Sequence, residues 1–235
     1  MRKATAELIL KDPDRFAHHD RVFLNNPVVM QGMGLAPLVV LATTAHNGVM
    51  LAAAVTLLLV PSRVLACLLS RLFPLREEHP ANAELEKKLL PRSILYSGSA
   101  AVVYLAAYPI LNRLFGVSLL VLGIYLPIMV VEPAIVKRME FADLEPVKDA
   151  FRHGFNNALG MCIVLLIVGC LRELLATGAV FGNVILHNAL LPLAALPAGG
   201  FVIVGILAAI WCAAANLYTD YKHEEVRRLY ADRKH

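Results

Sequence analysis

The most constraining feature of this sequence is a series of long apolar blocks, each close to the length of a membrane crossing, parted by short charged stretches. A hydrocarbon core about 30 Å thick is crossed by roughly 20 apolar residues of helix. Inside lipid the backbone must satisfy its own hydrogen bonds, which a helix does and an isolated strand does not. The blocks run over residues 28–44, 48–73, 94–114, 117–136, 155–176 and 199–218. They predict an all-α integral membrane protein of six transmembrane helices. A further apolar stretch, 184–198, is broken by Pro192 and Pro197 and is too short to cross, so it reads as an interfacial or re-entrant loop. With 58% hydrophobic and 17% charged residues among 235, the chain carries more apolar surface than one soluble core can bury. A soluble enzyme is excluded.

Basic residues set the orientation, because cytoplasmic loops of membrane proteins are enriched in Lys and Arg. Arg2, Lys3, Lys11, Arg15 and Arg21 precede the first block; Arg76, Lys87, Lys88 and Arg92 separate the second and third. Lys137, Arg138, Lys148 and Arg152 separate the fourth and fifth, and Lys222, Arg227, Arg228, Arg233 and Lys234 end the chain. Of the opposite connections, only the one between the third and fourth blocks holds a basic residue, Arg113. The expected organisation is a cytoplasmic N-terminal arm, 1–27, a membrane domain, 28–219, and a basic cytoplasmic tail, 220–235. The arm has no apolar stretch of its own and does not read as a cleavable signal. The net charge of +4 follows from this topology and calls for lipid, not nucleic acid, as a partner.

Six crossings divide into halves of three, 28–115 and 116–219, which would be inverted relative to each other. The first and fourth blocks then correspond, and both join Gly to a nearby Pro: Gly34, Ala36 and Pro37 in one, Gly123, Pro127 and Pro133 in the other. Paired Gly/Pro-interrupted segments at matching positions point to an inverted repeat whose broken helices meet near the bilayer midplane.

Ionisable residues inside apolar blocks are costly and mark candidate function. Glu132 follows an uncharged run and stands as a candidate for ion or proton handling, or as an interfacial partner of Lys137 and Arg138. Arg172 and Glu173 close the fifth block, as a structural pair, a headgroup contact or part of an ion path. Asn25, Asn26 and Pro27 read as a capped helix start, and Asn156 and Asn157 open the fifth block in the same way. Cys67, Cys162, Cys170 and Cys212 all lie in apolar blocks and fit no metal motif. Cys162 and Cys170 are eight residues, about 12 Å, apart along a helix. No phosphate loop, CxxC or HExxH motif occurs.

The run from Asn25 to Leu35 (NNPVVMQGMGL), the block Leu122 to Val131 (LGIYLPIMVV) and the stretch Val168 to Leu175 (VGCLRELL) resemble the small membrane subunits of the Rnf and sodium-translocating NADH:quinone reductase (Nqr) complexes. The polar arm before the first block is similar to the RnfE/NqrD branch. The resemblance implies a six-helix inverted repeat in a bacterial-type inner membrane, both termini cytoplasmic. It also implies a homologous partner of the RnfA/NqrE type, oriented oppositely, and an iron–sulfur cluster held by two cysteines from each partner. At the corresponding positions this chain has Ala36 and Pro133, neither of which ligates iron. The expectation is therefore a subunit of a redox-driven ion translocator that serves as scaffold or ion-path component and binds no cofactor alone. A cluster-free transporter or channel, working alone or as a homodimer, is the other reading.

Overall fold

A computed structural model describes residues 20–72, 85–123, 125–131 and 146–231. Glu132 and Pro133 lie outside the described residues, as do the first 19 of the arm. In chain order the elements are α1 (Leu35–Leu41), α2 (Ala45–Leu72), α3 (Leu85–Phe115), α4 (Ser118–Leu122), α5 over 125–131, α6 (Val147–Thr177), strands β1 (Ala179–Val180) and β2 (Asn183–Val184), a 3-10 turn (Pro192–Ala195) and α7 (Pro197–Ala231). The two short strands form an antiparallel hairpin pairing Ala179 with Val184 and Val180 with Asn183.

Among the described residues four helices, α2, α3, α6 and α7, are long and apolar enough to cross a bilayer. The chain is thus mostly helical and multi-pass. The first and fourth blocks take a different form, as short helical pieces separated by turns. Residues 21–34 wind through turns before α1, and α4 stops at Gly123 before α5 begins.

The centre of the molecule is the pair α2 and α6. Gly48 of α2 lies against the Leu165 carbonyl, and Val60 and Arg63 against Gly154. Thr56 meets Cys162. Partners that descend along α6 as they ascend along α2 define an antiparallel pair. Lipid tails are as apolar as a Leu side chain, so helices in a bilayer associate through close packing rather than water exclusion, and small residues allow the backbones to approach. Of the apolar windows of these two helices 61% and 50% are buried, against 28% for each of α3 and α7. The outer helices accordingly expose Val102, Leu105, Phe201, Val202 and Ile206, as lipid-facing surfaces do.

Helix ends depart from the block boundaries. α6 begins at Val147 after Pro146, so Asn156 and Asn157 lie within a helix and do not cap one. α7 continues to Ala231, through most of the stretch expected as a separate tail. There the Lys222 and Glu225 side chains meet at 2.7 Å and those of Glu224 and Arg228 at 3.3 Å, the spacing that supports a solvent-exposed helix. Hydropathy reports where lipid ends, not where the helix does.

Candidate functional site

The chain reaches α1 through a tightly bonded approach. Asn26, fully buried, accepts from the Val28 and Val29 N–H groups through Oδ1; the residues it ties belong to turns over 27–34, not to the helix start expected there. Its amide nitrogen donates to the carbonyls of Val22 and Gly160 at 3.0 Å each, fastening the approach to α6. The Met30, Gly32 and Met33 N–H groups bond back to Asn26, Val28 and Pro27. This turn ends at Gly34, the residue before α1, whose φ of 69° is left-handed and costs a residue with a Cβ roughly 1–2 kcal/mol. A Cβ there would also stand 3.0 Å from the Met161 side chain.

Pro37 is the third residue of α1, where the missing N–H costs no helical bond. Ala36 beside it is exposed. The fourth block repeats this arrangement. Gly123 has φ 43° and Pro127 is the third residue of the helical run 125–131. Met129 from that run lies 3.9 Å from the position of a Gly34 Cβ, so the two short helices converge on the same interior as Met161.

Beyond α1 the chain breaks over Ala42, Thr43 and Thr44 before α2 starts. Arg172 and Glu173 both face this break, from opposite sides. Neighbours on a helix point about 100° apart and do not face each other, so the two charges diverge. Arg172, 0% exposed, donates through Nη1 to the Val39 and Ala42 carbonyls at 2.5 and 3.3 Å. Nε donates to Ala194 at 2.9 Å, and Nη2 to Ala195 and Leu196 at 3.2 Å each. The Glu173 carboxylate accepts from the Ala45 N–H at 2.7 Å and from the Gly182 N–H at 3.0 Å. A positive group thus sits at the carbonyl end of α1 and a negative group at the amide end of α2, each where the helix dipole favours it. Gly169, one turn earlier on α6, brings the backbone against the break: a Cβ would be 2.7 Å from the Thr44 carbonyl oxygen.

The cysteines are dispersed. Cys162 Sγ donates to the Ala52 carbonyl at 3.3 Å and contacts Thr56 Oγ1 at the same distance. Cys212 Sγ lies 3.4 Å from Met30 Sδ, and all four are free thiols. Among the described residues no three His, Cys, Asp or Glu side chains converge as a metal site. The structure thus brings Gly34 within van der Waals reach of Met129 in the run 125–131, and places Arg172 and Glu173 at the break between α1 and α2. The role of Gly169 and the Thr56–Cys162 contact escaped the sequence reading, since a lone Gly or Thr in an apolar helix carries no signal of what crosses it.

Residues 17–208 match a family model described as Rnf-Nqr subunit, membrane protein. The E-type subunit of the ion-translocating oxidoreductase complex of Thioalkalivibrio sulfidiphilus is 30% identical over 203 residues, 79% of this chain and 82% of that protein. The protein of the same description from Vibrio atlanticus is 30% identical over 207 residues, covering 80% of this chain and 83% of its own length. The E-type subunit of the Na(+)-translocating ferredoxin:NAD(+) oxidoreductase complex of Acetobacterium woodii is 29% identical over 189 residues, 79% of this chain and 89% of the relative.

Proposed function

Because the chain belongs to the Rnf-Nqr family of membrane-protein subunits, we propose that it is a membrane subunit of an Rnf-type complex coupling electron transfer to ion translocation, serving as scaffold or ion-path component. The observation that carries this is similarity to E-type subunits of ion-translocating oxidoreductases along four-fifths of both chains. The family match over residues 17–208 includes the approach to α1, both short helices and the Arg172–Glu173 break.

We further propose that six crossings form an inverted repeat, with α1 and the α4–α5 segment as its broken members. Three correspondences support it. Each short helix follows a glycine of positive φ and carries proline at its third residue. The second proposed crossing of each half, α2 or α6, packs antiparallel on the other at the centre, as an axis lying in the membrane plane requires. The third of each half, α3 or α7, is peripheral and equally exposed. An even number of crossings keeps both termini on the cytoplasmic, basic side in an inner membrane.

The residues at hand do not fit an iron–sulfur cluster, which takes cysteine thiolates. Ala36 ends in a methyl group, position 133 is Pro, and all four cysteines stand elsewhere in the sequence, as free thiols. The proposal is accordingly a subunit that contributes no cluster ligands, beside a homologous RnfA/NqrE-like partner. Within it Glu132 is the candidate cation or proton group, because an intramembrane carboxylate is a functional site by default. Tagged chain extracted from its native membrane in mild detergent is expected to bring down a homologous membrane subunit with flavin- and iron-containing proteins. In that preparation Glu132→Gln should alter the cation or pH dependence of electron transfer. Recovery of the chain alone, or only as copies of itself, would favour the transporter or channel reading instead.

A further inference from the structure

Arg172 is a fully buried permanent cation with no carboxylate against it among the described residues, and its five N–H groups are matched one for one by five backbone carbonyls. Two of these oxygens, from Val39 and Ala42, belong to the carbonyl end of α1. Three, from Ala194, Ala195 and Leu196, belong to the 3-10 turn and the residue after it. The two groups lie about 150 residues apart in sequence and meet at the guanidinium. Carbonyls at a helix end lack helical donors, so without this group those of the buried Val39 and Ala42 would lose their side-chain donor. α7 closes the site from above: a Cβ on Gly200 would stand 3.0 Å from both Arg172 Cζ and the Val39 carbonyl oxygen.

We infer that these five carbonyls form a binding site for a planar guanidinium cation, which the chain fills with its own Arg172, and that this tethered cation fastens the outer segment 191–196 onto the end of α1. The oxygens are spread around the edge of a planar fork and do not converge on a point. The class of ligand selected is therefore guanidinium. An ammonium is a compact point charge with three donors and reaches only part of the set, and an alkali ion likewise. Glu173 performs the complementary task on the far side of the break, holding the start of α2 and the hairpin loop at Gly182. The inference concerns the stability and ligand selectivity of the outer end and does not depend on which complex the chain joins.

The test is thermal unfolding of the purified full-length chain in detergent. Arg172→Ala should melt well below the unsubstituted protein, and millimolar guanidinium should restore most of the loss with saturation. Equal concentrations of urea, methylammonium or sodium should not, and the unsubstituted protein should show no gain. Arg172→Lys should lie between the two and respond weakly to guanidinium. If Arg172→Ala melts like the unsubstituted protein, or if guanidinium restores no more than urea or sodium does, the inference is overturned. Where Arg172→Ala does not accumulate, Arg172→Lys decides. Proteolysis within 178–196 should then be several-fold faster than in the unsubstituted chain, and an unchanged rate overturns the inference equally.

Discussion

At Gly169 a single hydrogen on Cα lets α6 lie flat against the break between α1 and α2. A methyl group there would press to 2.7 Å on the Thr44 carbonyl oxygen, a backbone atom that cannot swing aside, whereas a Cβ on Gly98 of α3 would meet nothing within 4 Å. Gly169→Ala is therefore expected to destabilise by about 1–3 kcal/mol, the usual cost of overpacking. Gly98→Ala is expected to be neutral or stabilising by up to about 1 kcal/mol, since alanine is the better helix former. Melting the two variants side by side in detergent checks this, and equal effects would contradict the packing described. The charges at 172 and 173 were visible in the sequence as intruders in an apolar block. Their partners were not, because a backbone carbonyl carries no mark in the sequence, and the Arg172 and Glu173 contacts reach the break from about 130 residues away. Asn26 was legible in part, because its side chain bonds to N–H groups two or three places on, within its own local run, though it ties a turn and not the helix start expected.

Among the elements, the α2–α6 pair fixes the register from which everything else hangs. Thr56 Oγ1 and Cys162 Sγ are 3.3 Å apart, and both side chains turn toward the Ala52 carbonyl. With the other native cysteines replaced, Thr56→Cys should form an oxidant-dependent disulfide with Cys162. It should form none with Cys170 in the converse background, because that thiol is about 12 Å further along the helix. Bonding to Cys170, or to neither, would mean that the helices are offset from the register described. Apolar blocks revealed the long helices, but not that α2 and α6 are central while α3 and α7 are peripheral. All four are apolar around most of their circumference, and lipid and protein contacts draw on the same residues. The interruptions at Gly34 and Gly123 were legible for the opposite reason: Gly before Pro breaks an apolar pattern, and each of these glycines has a positive φ and precedes a short helix.

For the whole molecule, the proposed even number of crossings would put both termini on one side, the side of the basic loops. Reporter fusions at the N-terminus and after His235 should both score cytoplasmic, and a fusion in the hairpin loop at Gly182 should score external. Opposite sides for the two termini would require an odd count and would undo the inverted halves. Function was legible to the extent that it follows from architecture and similarity. In the reading proposed above, position 36 supplies no cluster ligand, so the chain's own residues say most about shape, packing and the surfaces it offers. Ala36 is therefore the place to ask. It is exposed on the short helix α1, at the position where the family resemblance locates the meeting of two subunits. In a background lacking the four native cysteines, Ala36→Cys should be crosslinked in native membranes by a short thiol reagent to a homologous but different membrane subunit. An adduct with a second copy of this chain, or no adduct in membranes where the complex is present, would contradict the account.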